Sequence, residues 1–590
     1  MVSRPVTGTL AEIFSRCMQA IGGALFFYSP GDETTLRTAN RKSFGIDRIP
    51  LYDVANCDYL LSFGAPFLEH WLSPVSFGAA YGSMRQGRPG LRGRFTQIEP
   101  RMSLTAANAD RWIPVRPGTE GLLAMGIGQV ILSERPGTLS AAERQSFEAF
   151  FRHYSLERIA AETDVPEERI TGLGREFSHA SAPLAIAGGP ASAHTNGTAC
   201  LMAVNTLNAL AGNVGRTGGV RFFEAVTFLS DVASSPSSER ALADLAGEFR
   251  HGRRKLLHLY GSNPLFTVPP SVPVREMFEK ADFIVSFSSF LDESTAMADL
   301  ILPDHFFLEA WSDHVQDRGG TLASVGLGQP VVMPLYETRA IGDVFLDAAG
   351  RLSLTTSARL PEKSFYGLLQ ARWKAFFAER NTDASDWDGT WARHLRQGGS
   401  WEARSRPVTI AQQTSLPTYE PAIFQGDEQQ FPFFFYPYPS MALGYGEGAN
   451  MPWLQELPNT LTTAAWSTWV EINPKTAHAN GVQQGELLRV TSPYGSLEAP
   501  AVYVAGIRPD MIAMPIGQGH TAYGRYAKGR GTNPLSILGP GFDADSGGLA
   551  AASTRVTIEP TGMRGRLVLL EQPGINGSND LITIDQKESR

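Results

Sequence analysis

The stretch Tyr59-Leu-Leu-Ser-Phe-Gly-Ala-Pro-Phe-Leu-Glu69 begins with a short, almost wholly apolar run and then turns at Gly64, Ala65 and Pro66. Such a run is typical of a parallel strand that is buried on both faces. Small residues directly after it let backbone N–H groups approach a ligand phosphate. A plain strand-to-loop turn would show the same pattern. The segment therefore predicts a buried strand, with Gly64, Ala65 and Pro66 as candidate cofactor contacts.

Similar apolar runs recur at 24–28 and 183–187 and alternate with amphipathic stretches of helical length. This alternation predicts an α/β fold of doubly wound parallel-sheet domains, whose strands end at a ligand crevice. Further strands are predicted at 255–260, 283–287 and 299–302. They belong to a second α/β unit.

The composition changes towards the C-terminus. Beyond residue 430, proline, glycine and β-branched residues dominate, which predicts a small β-barrel. We expect four parts: an α/β domain over 1–240, a second α/β domain over 241–374, an irregular linker over 375–430 and a β-rich barrel domain over 431–590.

Composition and charge argue against several functions. The chain has 590 residues and a formal net charge of -8, so we expect no nucleic-acid partner. No apolar run reaches the roughly 18–20 residues that cross a bilayer, so we expect no direct membrane insertion. Cys17, Cys57 and Cys200 are far apart and form no Cys-x-x-Cys motif, so no iron–sulfur cluster or thiolate metal site is expected on this chain.

Two polar motifs follow strand ends in the first 240 residues. Glu99 ends a predicted strand, where an acid commonly binds a ribose, and Thr119 and Glu120 open an apolar helix. The alternative is a surface acid and a helix N-cap at Thr119. His194 lies in a glycine-rich loop as a candidate catalytic residue, although a satisfied loop histidine is the commoner case.

The segment Ser286-Phe-Ser-Ser-Phe-Leu-Asp-Glu-Ser-Thr-Ala-Met-Ala-Asp-Leu-Ile-Leu-Pro303 is unusually dense in small polar residues. Ser286, Asp292 and Thr295 can hold a base and ribose by hydrogen bonds without adding charge. The chain has no G-x-G-x-x-G or Walker motif, so the common nicotinamide and nucleoside triphosphate fingerprints are missing.

These motifs, in order, resemble the molybdopterin oxidoreductase family of dimethyl sulfoxide reductase type. The resemblance rests on Ser62-Phe-Gly-Ala-Pro-Phe, Gln97-Ile-Glu-Pro-Arg, Arg116-Pro-Gly-Thr-Glu, Leu207-Asn-Ala-Leu-Ala-Gly-Asn-Val-Gly, Gly261-Ser-Asn-Pro, Thr295-Ala-Met-Ala-Asp-Leu-Ile-Leu-Pro, Trp469 to Glu486 and Gly517 to Pro534. Within the family, the chain is most similar to the molybdopterin-like subunits of alternative complex III and of the menaquinone reductase complex.

The resemblance implies a large subunit of a respiratory oxidoreductase that binds molybdopterin guanine dinucleotide with molybdenum or tungsten, if a cofactor is present. It also implies an iron–sulfur partner subunit and an integral membrane quinone-site subunit, at the periplasmic face of the membrane. If Met1 is the true start, the expected location is cytoplasmic instead, because no signal peptide is visible. It assigns no catalytic residue and no metal ligand. The implied cofactor contacts are Gly64, Ala65, Pro66, Glu99, Thr119, Glu120, Gly261, Asn263, Ser286, Asp292, Thr295, Gln518, His520, Tyr523, Arg525 and Asn533.

The chain also departs from the family pattern. Catalytic members carry a cysteine-rich iron–sulfur segment and a molybdenum ligand ahead of the first strand, and neither is visible here, nor is a signal peptide. A fragment, a head supplied by another polypeptide, or true loss would each explain this. Two hypotheses stay open: a dinucleotide-binding oxidoreductase subunit, or a non-catalytic scaffold whose loops close on each other.

Overall fold

The computed structural model describes residues 1–31, 33–135, 140–152, 154–224, 226, 228–229, 235–316, 319–320, 322–354, 360–380, 386–403, 407–408, 410 and 419–570. Two parallel sheets and a closed barrel make up its framework. The predicted fold class, doubly wound α/β followed by a C-terminal β-barrel, is confirmed. Part of the predicted 431–590 domain, residues 571–590, lies outside the described residues.

The first sheet has four parallel strands, and each ends towards the crevice described below. In spatial order they are Arg111–Ile113, Arg94–Ile98, Tyr59–Phe63 and Pro183–Ala187. Every residue of the last two strands is buried, as their continuous apolar sequence predicts.

The second sheet joins the start of the chain to its middle. Its parallel strands, in spatial order, are Leu300–Ile301, Phe283–Ser286, Leu256–Tyr260, Val2–Ser3 and Phe26–Phe27. This pairing differs from the single α/β domain predicted over 1–240, because Val2–Ser3 pairs with Leu256–Tyr260. An apolar run does not reveal its partner strand when the two lie far apart in sequence.

The range predicted as a linker, 375–430, contains regular structure. A helix, Trp387–Gln397, precedes the strand Gly399–Ala403, which pairs antiparallel with Leu322–Gly328. Trp391 of that helix packs against the fully buried Trp373. The helix is therefore stabilised by the packing of its tryptophan side chains on one face. The segment as a whole is polar, so its average composition does not reveal this face.

The barrel is closed by six strands. In spatial order they are Phe433–Pro439, Met511–Ile516, Val470–Ile472, Gly495–Tyr503, Glu486–Ser492 and Thr554–Arg564. Smaller pairs join Leu51–Tyr52 to Val220–Arg221, Ala464–Ala465 to Val568–Leu569, and Ser312–Val315 to Leu322–Gly328.

Helices cover the sheets and connect the strands. The longer ones are Gly8–Ala20, Glu33–Phe44, Pro74–Gln86, Glu120–Glu134, Ala141–Phe151, Leu156–Thr163, Glu167–His179, Gly197–Leu210, Glu239–Arg250, Ile341–Arg351, Phe365–Glu379 and Trp387–Gln397. Shorter helical turns are Val54–Asn56, Leu104–Ala107, Gly189–Ser192, Pro264–Thr267, Arg275–Lys280, Thr295–Met297, Pro452–Glu456, Pro474–Ala479, Gly524–Ala527 and Pro534–Ile537.

A buried ion pair fastens the barrel to the first sheet. Arg101, which follows the strand Arg94–Ile98, donates from Nε and a terminal nitrogen to the two carboxylate oxygens of Glu471 at 2.5 and 2.9 Å. The two side chains are 5% and 0% exposed. Tyr438 donates its hydroxyl to the same carboxylate at 2.6 Å, and its ring lies against the Arg101 guanidinium. The charges are thus paired and also hydrogen-bonded, as burial requires.

We predict that Arg101→Met lowers the free energy of unfolding by about 3–5 kcal/mol, because it leaves the Glu471 carboxylate buried without its cation. Thermal and denaturant unfolding of the purified chain would measure the loss. The double variant Arg101→Met/Glu471→Leu should recover most of it. A double variant no more stable than Arg101→Met would contradict this account of the pair.

Candidate functional site

A crevice lies where the two sheets meet the barrel. A cavity of about 290 Å³ is lined by residues from the segments 29–35, 70–72, 189–193 and 436–447. The first three segments follow strands of the two parallel sheets, and the fourth ends a barrel strand. Ligands of open α/β folds bind at this position, beyond the carboxyl ends of the strands.

The charges that line this cavity are mainly acidic. Glu33, Glu239 and Glu447 contribute carboxyl groups, and none of the described lining residues is a lysine or arginine. Burial raises the pKa of Glu239 to about 7 and also raises the pKa of Glu447. Burial lowers the pKa of His70 to about 4, so this histidine is neutral at pH 7. The cavity wall offers no cationic side chain to an anion.

The predicted turn after the first strand packs against a neighbouring loop. Gly64 has φ +70°, and a Cβ on it would lie 2.7 Å from the carbonyl oxygen of Gly188. A Cβ on Gly189 would lie 3.0 Å from the ring of Pro66. The small residues here allow two strand-end loops to touch each other. Cofactor contact by Gly64, Ala65 and Pro66 stays a prediction.

Glu99, Thr119 and Glu120 are engaged with, or enclosed by, the protein itself. The Glu99 carboxylate accepts hydrogen bonds from the Ser103 amide at 2.6 Å and from Gln97 Nε2 at 2.9 Å. Thr119 stands at the N-cap position, but its hydroxyl donates to the Arg116 carbonyl instead of capping the helix. Burial raises the pKa of Glu99 and of Glu120 to about 7.

His194 is enclosed as well. It is fully buried, its Nδ1 lies 3.3 Å from the Ser553 hydroxyl, and burial lowers its pKa to about 3. Its ring also packs against Phe424. His194 is not among the described residues that line the cavity, and its catalytic role stays a prediction.

Two of the predicted residues, Asn263 and His520, contact the carboxylate of Glu293, a residue that was not predicted from the sequence. It accepts hydrogen bonds from Asn263 Nδ2 at 2.7 Å, from the Thr521 amide at 2.7 Å and from the Ala522 amide at 3.0 Å. His520 Nδ1 lies 3.1 Å from it. Adjacent backbone N–H groups of this kind form an anion-binding nest.

Burial and hydrogen bonding oppose each other at Glu293. Burial alone would raise its pKa, but hydrogen bonds from His520, from the Ala522 amide and from Asn263 outweigh it and lower the pKa from 4.5 to about 2. The carboxylate is therefore ionised at neutral pH. It occupies the donors of Asn263, Thr521 and Ala522, and we call this arrangement the Glu293 nest.

The Glu293 nest is tied to the crevice wall. His520 stacks on Phe266 with ring centroids 3.7 Å apart, and its Nε2 has no hydrogen-bond partner among the described residues. Tyr523, with φ +71°, donates its hydroxyl to the Glu447 carbonyl at 2.7 Å, and its amide donates to the Leu291 carbonyl at 2.6 Å.

The remaining predicted residues are bonded within the protein. Gln518 and Gln455 pair through their side-chain amides, and Asn533 donates to the Phe266 carbonyl. The Ser286 and Thr295 hydroxyls are hydrogen-bonded to each other, and Asp292 accepts from the Thr295 amide. Arg525 donates to the Tyr526 hydroxyl, and a Cβ on Gly261 would contact the Arg4 side chain. None of the sixteen predicted cofactor contacts lines the 290 Å³ cavity. Their role in binding a cofactor stays a prediction.

Across the described ranges, no cluster of three or more histidine, cysteine or acidic side chains could hold a metal ion. Cys17, Cys57 and Cys200 are buried free thiols. No helix within the described part of the chain is both long and apolar enough to cross a membrane.

Comparison with known proteins places the fold. The family model described as molybdopterin oxidoreductase matches residues 7–347, and that of the molybdopterin dinucleotide-binding domain matches residues 457–554. Acetylene hydratase from Pelobacter acetylenicus has a similar structure, with a TM-score of 0.73 over 95% of this chain and 86% of that protein, at 15% identity.

Three curated relatives extend over most of the chain. The menaquinone reductase molybdopterin-binding-like subunit of Nitratidesulfovibrio vulgaris is 28% identical, covering 92% of this chain and 77% of the relative. The arsenate respiratory reductase molybdopterin-containing subunit of a Shewanella species is 23% identical over 85% and 74%, and the thiosulfate reductase molybdopterin-containing subunit of Salmonella typhimurium is 23% identical over 80% and 70%. The match over residues 7–347 covers more than half of the chain, which therefore belongs to the molybdopterin oxidoreductase family.

Proposed function

We propose that this chain is the molybdopterin-fold large subunit of a quinone-linked respiratory complex, in which it serves as a scaffold that holds no dinucleotide. Its partners would be an iron–sulfur electron-transfer subunit and an integral membrane quinone-site subunit, at the periplasmic face. The observation that carries the proposal is the Glu293 nest, whose backbone donors are already occupied by the protein's own carboxylate.

Charge supports this proposal. Each molybdopterin guanine dinucleotide contains a pyrophosphate, and proteins bind such groups with cations, helix N-termini or free backbone N–H groups. The described lining of the cavity contains Glu33, Glu239 and Glu447 but no lysine or arginine. A pyrophosphate would therefore meet like charges or raise the pKa values of these acids further. The residues present do not fit the cofactor in this cavity.

Space supports the proposal too. Pockets that enclose drug-sized ligands measure roughly 300–1,000 Å³. The cavity measures about 290 Å³, and its lining includes the large residues His70, Trp71 and Tyr445. A dinucleotide is larger than a typical drug, so the loops would have to separate to admit one.

The name of one relative agrees with this proposal. The relative that is 28% identical is called a molybdopterin-binding-like subunit of a menaquinone reductase. The alternative is a catalytic subunit loaded with molybdopterin guanine dinucleotide and molybdenum or tungsten, which the match to the dinucleotide-binding domain over residues 457–554 favours. In that case Glu293 would have to leave the nest.

Elemental analysis of the native complex separates the two functions. We expect molybdenum and tungsten far below one atom per chain, and no guanine nucleotide after acid release. A molybdenum-containing thiosulfate reductase purified in the same way provides the positive control. Metal near one atom per chain, together with released guanine nucleotide, would overturn the scaffold proposal and establish the loaded enzyme.

The Glu293 nest makes its own prediction. Glu293→Ala should lower the free energy of unfolding by about 2–3 kcal/mol, because several donors lose a charged acceptor. It should also let inorganic pyrophosphate raise the melting temperature, and we expect no such rise in the wild type. Glu498→Ala, which removes the partner of an exposed Arg489 ion pair, serves as the matched control and should cost about 0–1 kcal/mol.

The pH dependence follows from the lowered pKa of Glu293. An acid whose pKa is lower in the folded state adds stability above its unfolded pKa, and this is lost as the pH falls towards the folded value. The stability difference between wild type and Glu293→Gln should therefore shrink between pH 4.5 and about 2. A stability difference that is constant over this pH range would show that the nest does not lower the pKa of Glu293.

A further inference from the structure

Two neighbouring surface loops expose a row of large apolar side chains. The row belongs to segment 306–308, which follows the edge strand Leu300–Ile301 of the second sheet, and to segment 331–336, which follows the strand Leu322–Gly328. Its members are 39% to 86% exposed. We call this surface the apolar platform; it consists of Phe306, Phe307, Leu308, Val331, Val332, Met333, Leu335 and Tyr336.

The platform is built as one unit. The amides of Val331 and Val332 both donate to the Leu308 carbonyl, which joins the two loops. Glu309 adds a second link, because its two carboxylate oxygens accept from the Phe306 amide at 3.0 Å and from the Leu335 amide at 2.9 Å. The apolar side chains are thus presented by bonded loops and keep a defined arrangement.

The platform is as large as a protein interface. Aromatic side chains have roughly 150–250 Å² of surface each and the aliphatic members somewhat less, so the eight at these exposures present on the order of 900 Å². The largest apolar patch on a typical monomer measures about 300–600 Å². A stable protein interface buries about 800 Å² on each partner. The area therefore matches one side of a complete interface.

The charges beside the platform indicate which kind of partner can bind it. Glu309 and Glu337 lie within or beside it, and the nearby Arg339 is paired with Asp347. A second copy of this chain would bring the same acidic rim against itself. An anionic membrane surface selects lysine and arginine at the rim of an apolar face. Both of these partners are disfavoured.

We infer that the apolar platform binds a different protein subunit, one that presents an apolar face bordered by lysine or arginine. This inference rests on the proposed function, since it assigns one of the subunits of that complex to a surface of this chain. The platform lies outside the Glu293 nest and the cavity, so the docking does not depend on whether a cofactor is bound.

Site-specific photocrosslinking in the native complex tests the inference. Benzoylphenylalanine at Met333 should crosslink to a stoichiometric, different subunit of the purified complex, at a peptide that contains apolar and basic residues. Val75 is the matched control, because it is 86% exposed on the helix Pro74–Gln86, as Met333 is on the platform. Val75 should give no crosslink to that peptide.

A charge variant provides the second readout. Met333→Glu/Leu335→Glu/Tyr336→Glu should reduce co-purification of the crosslinked subunit about tenfold or more. The melting temperature of the isolated chain should not change, because these side chains are exposed. Val75→Glu should leave the complex intact.

Two crosslinking results would overturn the inference: a Met333 crosslink to another copy of this chain, or a Met333 probe that gives no crosslink, like the probe at Val75. Binding of the isolated chain to anionic vesicles through the platform would also overturn it, as would a complex that survives the triple variant. Failure of the proposed function looks different: molybdenum or tungsten near one atom per chain, with released guanine nucleotide, would overturn the scaffold and leave the Met333 crosslink to a different subunit unchanged.

Discussion

The buried pair between Arg101 and Glu471 is the constraint on which the arrangement of the domains depends. A charge pair removed from water is tolerated only with close geometry and further hydrogen bonds, and Tyr438 and Trp469 supply them. Because Arg101 follows a strand of the first sheet and Glu471 lies on a barrel strand, satisfying the pair fixes the barrel over the strand ends. Arg508, which donates to Asp164 and to the Pro114 carbonyl, holds the same interface at a second point. The shape of the crevice is a consequence of these contacts.

The packing that excludes water from this ion pair also buries the acids near the crevice and shifts their pKa values. In a buried setting, an acid without a cation shifts its pKa upward, as Glu239 and Glu447 do. Glu293 behaves in the opposite way because two backbone amides, Asn263 and His520 surround it. The donors around Glu293 are thus satisfied within the protein. An anionic cofactor would have to replace a bonded carboxylate and also face the acids of the cavity wall.

Local sequence was sufficient for features that depend on neighbouring residues. The strands Tyr59–Phe63 and Pro183–Ala187 were predicted with their observed bounds, because a continuous apolar run ends in each case at glycine. The Glu293 nest could not be predicted, since His520 lies 227 residues further along the chain. Arg101 and Glu471 are 370 residues apart, and nothing in either local sequence reveals the other. The available signal at Glu293 was an acid next to Asp292 in a loop without cations.

The same fold can serve catalysis or architecture, so the assignment has to come from side chains rather than topology. The likeness to acetylene hydratase, at 15% identity, shows how much sequence can change while the fold is kept. In a catalytic subunit, the crevice would have to stay open to an anion at some cost in stability. Here the strand-end loops contact one another directly, as at Gly64 and Gly188. On the proposed function, the subunit would contribute through its outer surfaces, and the apolar platform, which leaves on the order of 900 Å² of large side chains in water, is the surface that we assign to a partner subunit.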